Sequence, residues 1–208
     1  MHSVWDEPVL DPALAAAHPP DGLDYATWIE RGRQRTSSAF TWALTAAAIL
    51  LAGPFAVMGA MTTSGETAFA LLRLTVFGPL AEEMLKVGLP LLVVERRPYW
   101  FRSSAQILFA AIGGSLAFAA IENLLYLNAY LADPSDLLVA WRWSVCVALH
   151  VGCSLLAGLG LTRMWRLLWQ QRRRPRFGVA APWFIAAIVI HGTYNLVALL
   201  LAYSRYSF

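Results

Sequence analysis

Charge is scarce in this chain: Asp, Glu, Lys and Arg make up 14% of its 208 residues, and Lys86 is the one lysine among sixteen basic side chains. Soluble domains carry about a quarter of their residues charged, so a water-soluble fold is excluded. Cysteine is nearly absent too. Cys146 and Cys153 are seven positions apart; on one helix their backbones would stand about 10 Å apart, beyond disulfide reach. With His150 between them they form a Cys-x-x-x-His-x-x-Cys stripe, which could take a soft metal but reads better as small packing residues. The sequence has no His-Glu-x-x-His run, the usual helical zinc-protease signature. It shows none of the internal repeats common in transporters. No basic segment followed directly by a short apolar stretch opens the chain, so the first span is expected to serve as the anchor. The net charge of +3 does not suggest a nucleic-acid partner, because the short Arg-rich stretch at 163–176 offers no folded basic surface.

What the chain does have is apolar sequence: 58% hydrophobic residues and a mean hydropathy of +0.53. These residues fall into five blocks, at about 38–61, 67–94, 104–131, 137–162 and 179–203, each long enough for a span that needs roughly 20 residues. Unpaired backbone is not tolerated in lipid, and the blocks lack the alternation of barrel strands. The expected fold is therefore all-α, a polytopic integral membrane bundle of about five transmembrane helices surrounded by a lipid bilayer. Residues 1–36 read as a polar tail and 37–208 as a single transmembrane domain. Twelve arginines (31, 33, 35, 96, 97, 102, 163, 166, 172, 173, 174 and 176) fall on one side of such a bundle. By the positive-inside tendency that side, and the N-terminus with it, is cytoplasmic, and the C-terminus is outside.

The spans nonetheless carry ionisable groups: Glu82, Glu83 and Lys86 in the second, Glu122 with Asn123 in the third, His150 in the fourth, and His191 with Asn195 in the fifth. A charge near the bilayer centre costs on the order of 3 kcal/mol, so such residues are paired or functional. Depth supports a common purpose. Glu82, Glu83, His150 and His191 lie within one or two residues of their span midpoints, and Glu122 and Asn195 are displaced by only about 6 Å at helical rise. Helices running in alternating directions thus bring their polar side chains to one layer.

Spacing then identifies the groups that can cooperate. Glu82 and Lys86 are at i and i+4, and Glu83 and Lys86 at i and i+3, so Lys86 can pair with either carboxylate. One Glu can remain ionised by pairing while the other is tuned as a general base. His191 and Asn195, at i and i+4, are expected to face one cavity. Phe118 and Glu122 repeat that spacing, followed by Asn123 and Tyr126. Peptide hydrolysis inside a membrane needs a wet pocket, a base for water, and donors or a metal for the oxyanion. In one version Zn²⁺ is held by His150, His191 and Glu122 with an open position for water. In the other no metal is used: the Glu pair activates water, and His191 with Asn195 donates to the oxyanion. Two other classes fit the same residues, a proton- or metal-ion-coupled transporter and a scaffold whose buried pairs set helix registry. Arg73 and Arg142, near the outer ends of their spans, read as snorkelling side chains or contacts for substrate ends.

In order along the chain, Glu82-Glu83-Met84-Leu85-Lys86, Phe118 to Glu122 with Asn123, His150, and His191 to Asn195 resemble the motifs of the PrsW family of intramembrane proteases. The resemblance covers about residues 70–200. It implies an intramembrane endopeptidase, described as a metalloprotease and distantly related to the CAAX prenyl endopeptidases and bacteriocin-processing enzymes. It also implies a bacterial cytoplasmic membrane and site-1 cleavage of a single-span, anti-sigma-factor-like substrate. The catalytic positions it suggests are Glu82, Glu83, Lys86 and Asn195, with Glu122, His150 and His191 toward a metal and Phe118, Asn123 and Tyr126 in support.

Overall fold

A computed structural model describes residues 24–62 and 69–206, and every regular element within them is helical. The first 23 residues of the expected tail, and residues 63–66 of the loop expected after the first span, lie outside the described residues. Four helices among those described are long and apolar enough to cross a membrane: Ser38–Gly59, Ser104–Tyr130, Asp136–Gln171 and Ala181–Leu201. They match the first, third, fourth and fifth expected blocks.

The second block is helical but broken. It runs as α3 (Ala70–Leu72), a π turn (Arg73–Phe77), α4 (Gly78–Lys86) and α5 (Gly88–Arg96). Two prolines account for the interruptions, because neither can donate a backbone N–H to the carbonyl four residues earlier. Pro79 leaves the Thr75 carbonyl without its α-helical partner, and there the Gly78 N–H reaches back five residues to Arg73 O. Pro90 does the same to Lys86, and the chain leaves helical geometry at Val87 (φ −115°, ψ 13°). Irregular backbone at membrane depth is stable only where protein surrounds it.

Around this segment stand α2 (Ser38–Thr62), α6 (Ser104–Leu125, prolonged by a π turn at Tyr126–Tyr130) and α9 (Ala181–Tyr206). The fourth long helix comprises α7 (Asp136–Trp141), a π turn (Arg142–Cys146) and α8 (Val147–Gln171). Helix α2 packs on α6, α6 on α8, α8 on α9, and α9 returns to the π turn and to α4, the latter of which also touches α2. Small residues allow the close approaches. A Cβ on Gly114 would lie 2.7 Å from the Ala52 Cβ and 3.2 Å from Lys86 O, and one on Gly158 would lie 2.9 Å from the Ala111 Cβ. Large apolar side chains such as Leu50, Phe55, Phe109, Leu137 and Ile185 face outward, as expected of lipid-facing surface.

The Arg-rich end carries the apolar core, built around Val94, Phe101, Ile107, Leu161, Met164 and Phe184. Helix α8 runs nine residues past the expected end of the fourth block, so Arg163 and Arg166 are helical and not in a loop. Packing explains the extension: Leu168 is buried, and Trp165 donates from Nε1 to Pro98 O at 2.9 Å. Helix α1 (Tyr25–Arg35) forms within the expected tail, started by Asp24, whose carboxylate accepts from the Thr27 N–H and hydroxyl. Those bonds hold the Asp24 carboxyl below the usual carboxylate range. The helix docks through Trp28, edge-on to Tyr99 at 5.2 Å, and through Glu30, 2.9 Å from Arg172.

Candidate active site

Helix α4 is only nine residues long, yet Glu82, Glu83 and Lys86 on it are all buried. Lys86 is its last residue, so its side chain leaves the backbone where the helix breaks. Gly114 lets α6 pass against the Lys86 carbonyl, holding that break between two neighbours. Lys86 Nζ donates to Glu83 Oε1 at 2.6 Å, with neither side chain exposed. The same nitrogen lies 3.2 Å from His150 Nδ1. A lysine ammonium only donates, so Nδ1 is the acceptor and the His150 proton sits on Nε2. That proton points to Glu122 Oε2, 3.0 Å away. Phe118 lines this junction, edge-on to the His150 ring at 5.0 Å and 4.8 Å beneath the Lys86 ammonium.

His191 enters from α9 with the opposite tautomer. Its Nδ1 donates to Glu83 Oε1 at 2.7 Å, which in a neutral imidazole puts the lone pair on Nε2. That nitrogen faces Glu82 Oε2 at 3.7 Å, too far for a hydrogen bond. The two imidazoles meet edge to face at 5.0 Å. Glu83 Oε1 thus accepts two bonds, whereas Glu82 Oε2 and Glu83 Oε2 are buried and have no hydrogen-bond partner. Buried carboxylate oxygens are rarely left unpaired, so this spot suits a water or a cation.

The donor chemistry fits a divalent ion. One ligand atom each from Glu82, His150 and His191 lies within 4.8 Å of the others, and two histidines with one glutamate make a catalytic zinc set. The carboxylate in that group is Glu82 and not the expected Glu122, whose Oε2 is taken by Arg142 at 2.9 Å and by His150. His150 would join such a set by exchanging one of its two hydrogen bonds. Neither cysteine belongs to it, and Cys146 Sγ lies instead 3.0 Å from the Tyr194 hydroxyl.

The structure therefore joins six of the expected residues, Glu82, Glu83, Lys86, Glu122, His150 and His191, in one network from four chain segments. Asn195 is not in it. Its amide donates at 3.0 Å to Leu74 O in the first π turn, one turn of α9 beyond His191. Gly192 lies beside it, where a Cβ would be driven into the Thr75 carbonyl. The residue missed from the sequence is Arg142. It is held by Glu122 and by Asn123 Oδ1 at 3.0 Å, over the Tyr126 ring at 4.0 Å, so it does not snorkel. Its spacing of eight from His150 was the available signal, since positions two turns apart share a helix face.

Among known families, the chain matches one described as PrsW family intramembrane metalloprotease over residues 34–207. No curated protein matches it, and no solved structure does.

Proposed function

The chain belongs to the PrsW family of intramembrane metalloproteases, and on that premise we propose that it hydrolyses a peptide bond of a membrane-bound protein with water activated by Glu82. The observation that carries the reading is the asymmetry of the Glu pair. Glu83 is occupied by Lys86 and His191, whereas Glu82 Oε2 is buried, unpaired and opposite the free lone pair of His191. A water between these two acceptors gives one proton to each in hydrogen bonds and presents its lone pair to a carbonyl carbon. Glu82 takes the proton as the bond forms and returns it to the leaving amine. Glu83 fixes the ring and tautomer of His191, and Lys86 offsets the Glu83 charge in a dry setting.

In the metal-bound version Glu82, His150 and His191 would hold an ion, for which zinc is proposed; Glu83 Oε2 would then be the unpaired carboxylate oxygen left for the water proton, because the lone pairs of Glu82 and His191 would go to that ion. When bound, it supplies Lewis acidity toward the carbonyl and acidifies water. Asn195, through the Leu74 carbonyl, steadies the π turn that leads into the Glu pair. By the same proposal the Arg-rich end is cytoplasmic, the membrane is a bacterial cytoplasmic membrane, and the substrate is a single-span protein of the anti-sigma-factor kind. The supports are the one-sided arginines and the family.

The test is cleavage of a single-span substrate by the purified full-length protein in liposomes. Cleavage by the wild type and none by Glu82→Ala at equal expression is the expected result. Cleavage that survives in both Glu82→Ala and Glu83→Ala, with ion uptake lost, would replace the protease reading with a transporter.

A further inference from the structure

Arg142 lies outside every motif that led to the site, yet four contacts tether it beside that site. Nη2 donates to Glu122 Oε2 at 2.9 Å, Nε donates to Asn123 Oδ1 at 3.0 Å, and the Tyr126 ring lies 4.0 Å from the guanidinium carbon. The Asn123 amide donates in return to the Arg142 backbone carbonyl at 3.0 Å. All four contacts go to one stretch of α6 and its π extension. Only 13% of the side chain is exposed, so the guanidinium is spent inside the protein and not on headgroups.

The oxygen that Arg142 holds is the one that receives His150 Nε2, at 3.0 Å. A single carboxylate oxygen thus accepts from both sides. Its place is set by the guanidinium fork, and it in turn sets the imidazole plane. Arg142 and His150 also share one helix, separated by the π turn Arg142–Cys146. The Asn123 bond to the Arg142 carbonyl pins the start of that turn, and so the phase at which His150 leaves the helix. Side chain and backbone act on the same ring.

We propose that Arg142 is a positioning residue for the hydrolytic site: acting through Glu122 Oε2 and the π turn, it fixes the orientation of His150 without itself touching substrate. The proposal rests on the protease reading above and extends it to a residue two helical turns away. A guanidinium is needed because it donates to two different acceptors in one plane; an ammonium can replace the charge but not the fork.

The experiment compares wild type, Arg142→Gln, Arg142→Lys, Glu122→Gln and the Arg142→Gln/Glu122→Gln double variant, with Glu82→Ala as the dead control. Full-length protein and a single-span substrate are used throughout. Arg142→Gln is expected to lower kcat about tenfold to hundredfold, the usual effect of losing an outer partner, with KM unchanged, and Arg142→Lys to recover part of it. A raised KM at unchanged kcat would make Arg142 a substrate contact and overturn the proposal. Unchanged kinetics, or a loss of activity that only follows the loss of folded protein, would overturn it as well. If wild type and Glu82→Ala are indistinguishable, the protease reading fails separately, and thermal unfolding decides the clamp. Coupled losses for Arg142→Gln and Glu122→Gln are expected, and additive ones would overturn it.

Discussion

Lys86 and Glu83 form an ion pair at 2.6 Å in which neither side chain is exposed. One turn of α4 joins them, and the helix ends at the lysine. The pair therefore sits at the least regular point of a membrane segment, where a freed backbone carbonyl, a buried cation and a buried anion coincide. Its attraction has to offset the removal of both charges from water, which happens only when their remaining hydrogen-bonding capacity is used. His150 Nδ1 on the lysine and His191 Nδ1 on Glu83 Oε1 use part of it, and Glu83 Oε2 is left without a hydrogen bond. The ion pair, both imidazoles and the broken helix are thus one unit.

Removing half of this unit is expected to be severe. Lys86→Met leaves Glu83 uncompensated and should destabilise the fold by about 3–5 kcal/mol, seen as a lower unfolding midpoint in detergent. Adding Glu83→Gln should restore much of that stability and none of the cleavage. A single variant as stable as wild type would show that the pair is not dry.

The two glutamates should separate in their effects. Glu82→Gln is expected to reduce kcat by about 10²–10⁴, the range of a lost general base, while leaving the unfolding midpoint nearly unchanged because no hydrogen bond to Oε2 is lost. Glu83→Gln should lower both activity and stability, since Lys86 and His191 lose their shared acceptor. Parallel cleavage and unfolding curves check this, and equal destabilisation by both would contradict the division of roles.

Backbone packing gives a third prediction. Gly192→Ala places a methyl group on the Thr75 carbonyl, and overpacking of this kind costs about 1–3 kcal/mol. The π turn has to shift, so activity should fall more than stability alone explains. Asn195→Ala removes the bond to Leu74 O and should cost about 1 kcal/mol. The measurement is kcat of the folded fraction at a temperature well below each midpoint.

Metal content gives a fourth. Stoichiometric zinc is expected in wild type purified without chelator, and its loss is expected in His191→Ala, with Glu122→Gln retaining more of it than Glu82→Gln. Elemental analysis reads this without reference to activity. Protein that cleaves while free of metal would assign the whole reaction to the Glu pair and its histidines.

The class and most of the architecture were legible in the residues alone. Apolar blocks of span length admit only helices in lipid, and a handful of ionisable residues at matching depth, each costly to bury alone, had to meet. What the sequence could not decide was pairing. Spacing let Lys86 reach either Glu82 or Glu83, and only the position of α9, which puts His191 Nδ1 on Glu83, leaves Glu82 Oε2 without a hydrogen bond. Likewise His191 and Asn195 share a helix face, but the carbonyls freed by Pro79 and the π turn draw Asn195 away from the carboxylates. Arg142 looked like an interfacial arginine because its partners, Glu122 and Asn123, belong to another helix. Periodicity ranks the faces of one helix; which atoms meet across a helix boundary depends on the breaks, small residues and π turns that set how neighbouring helices are rotated against each other.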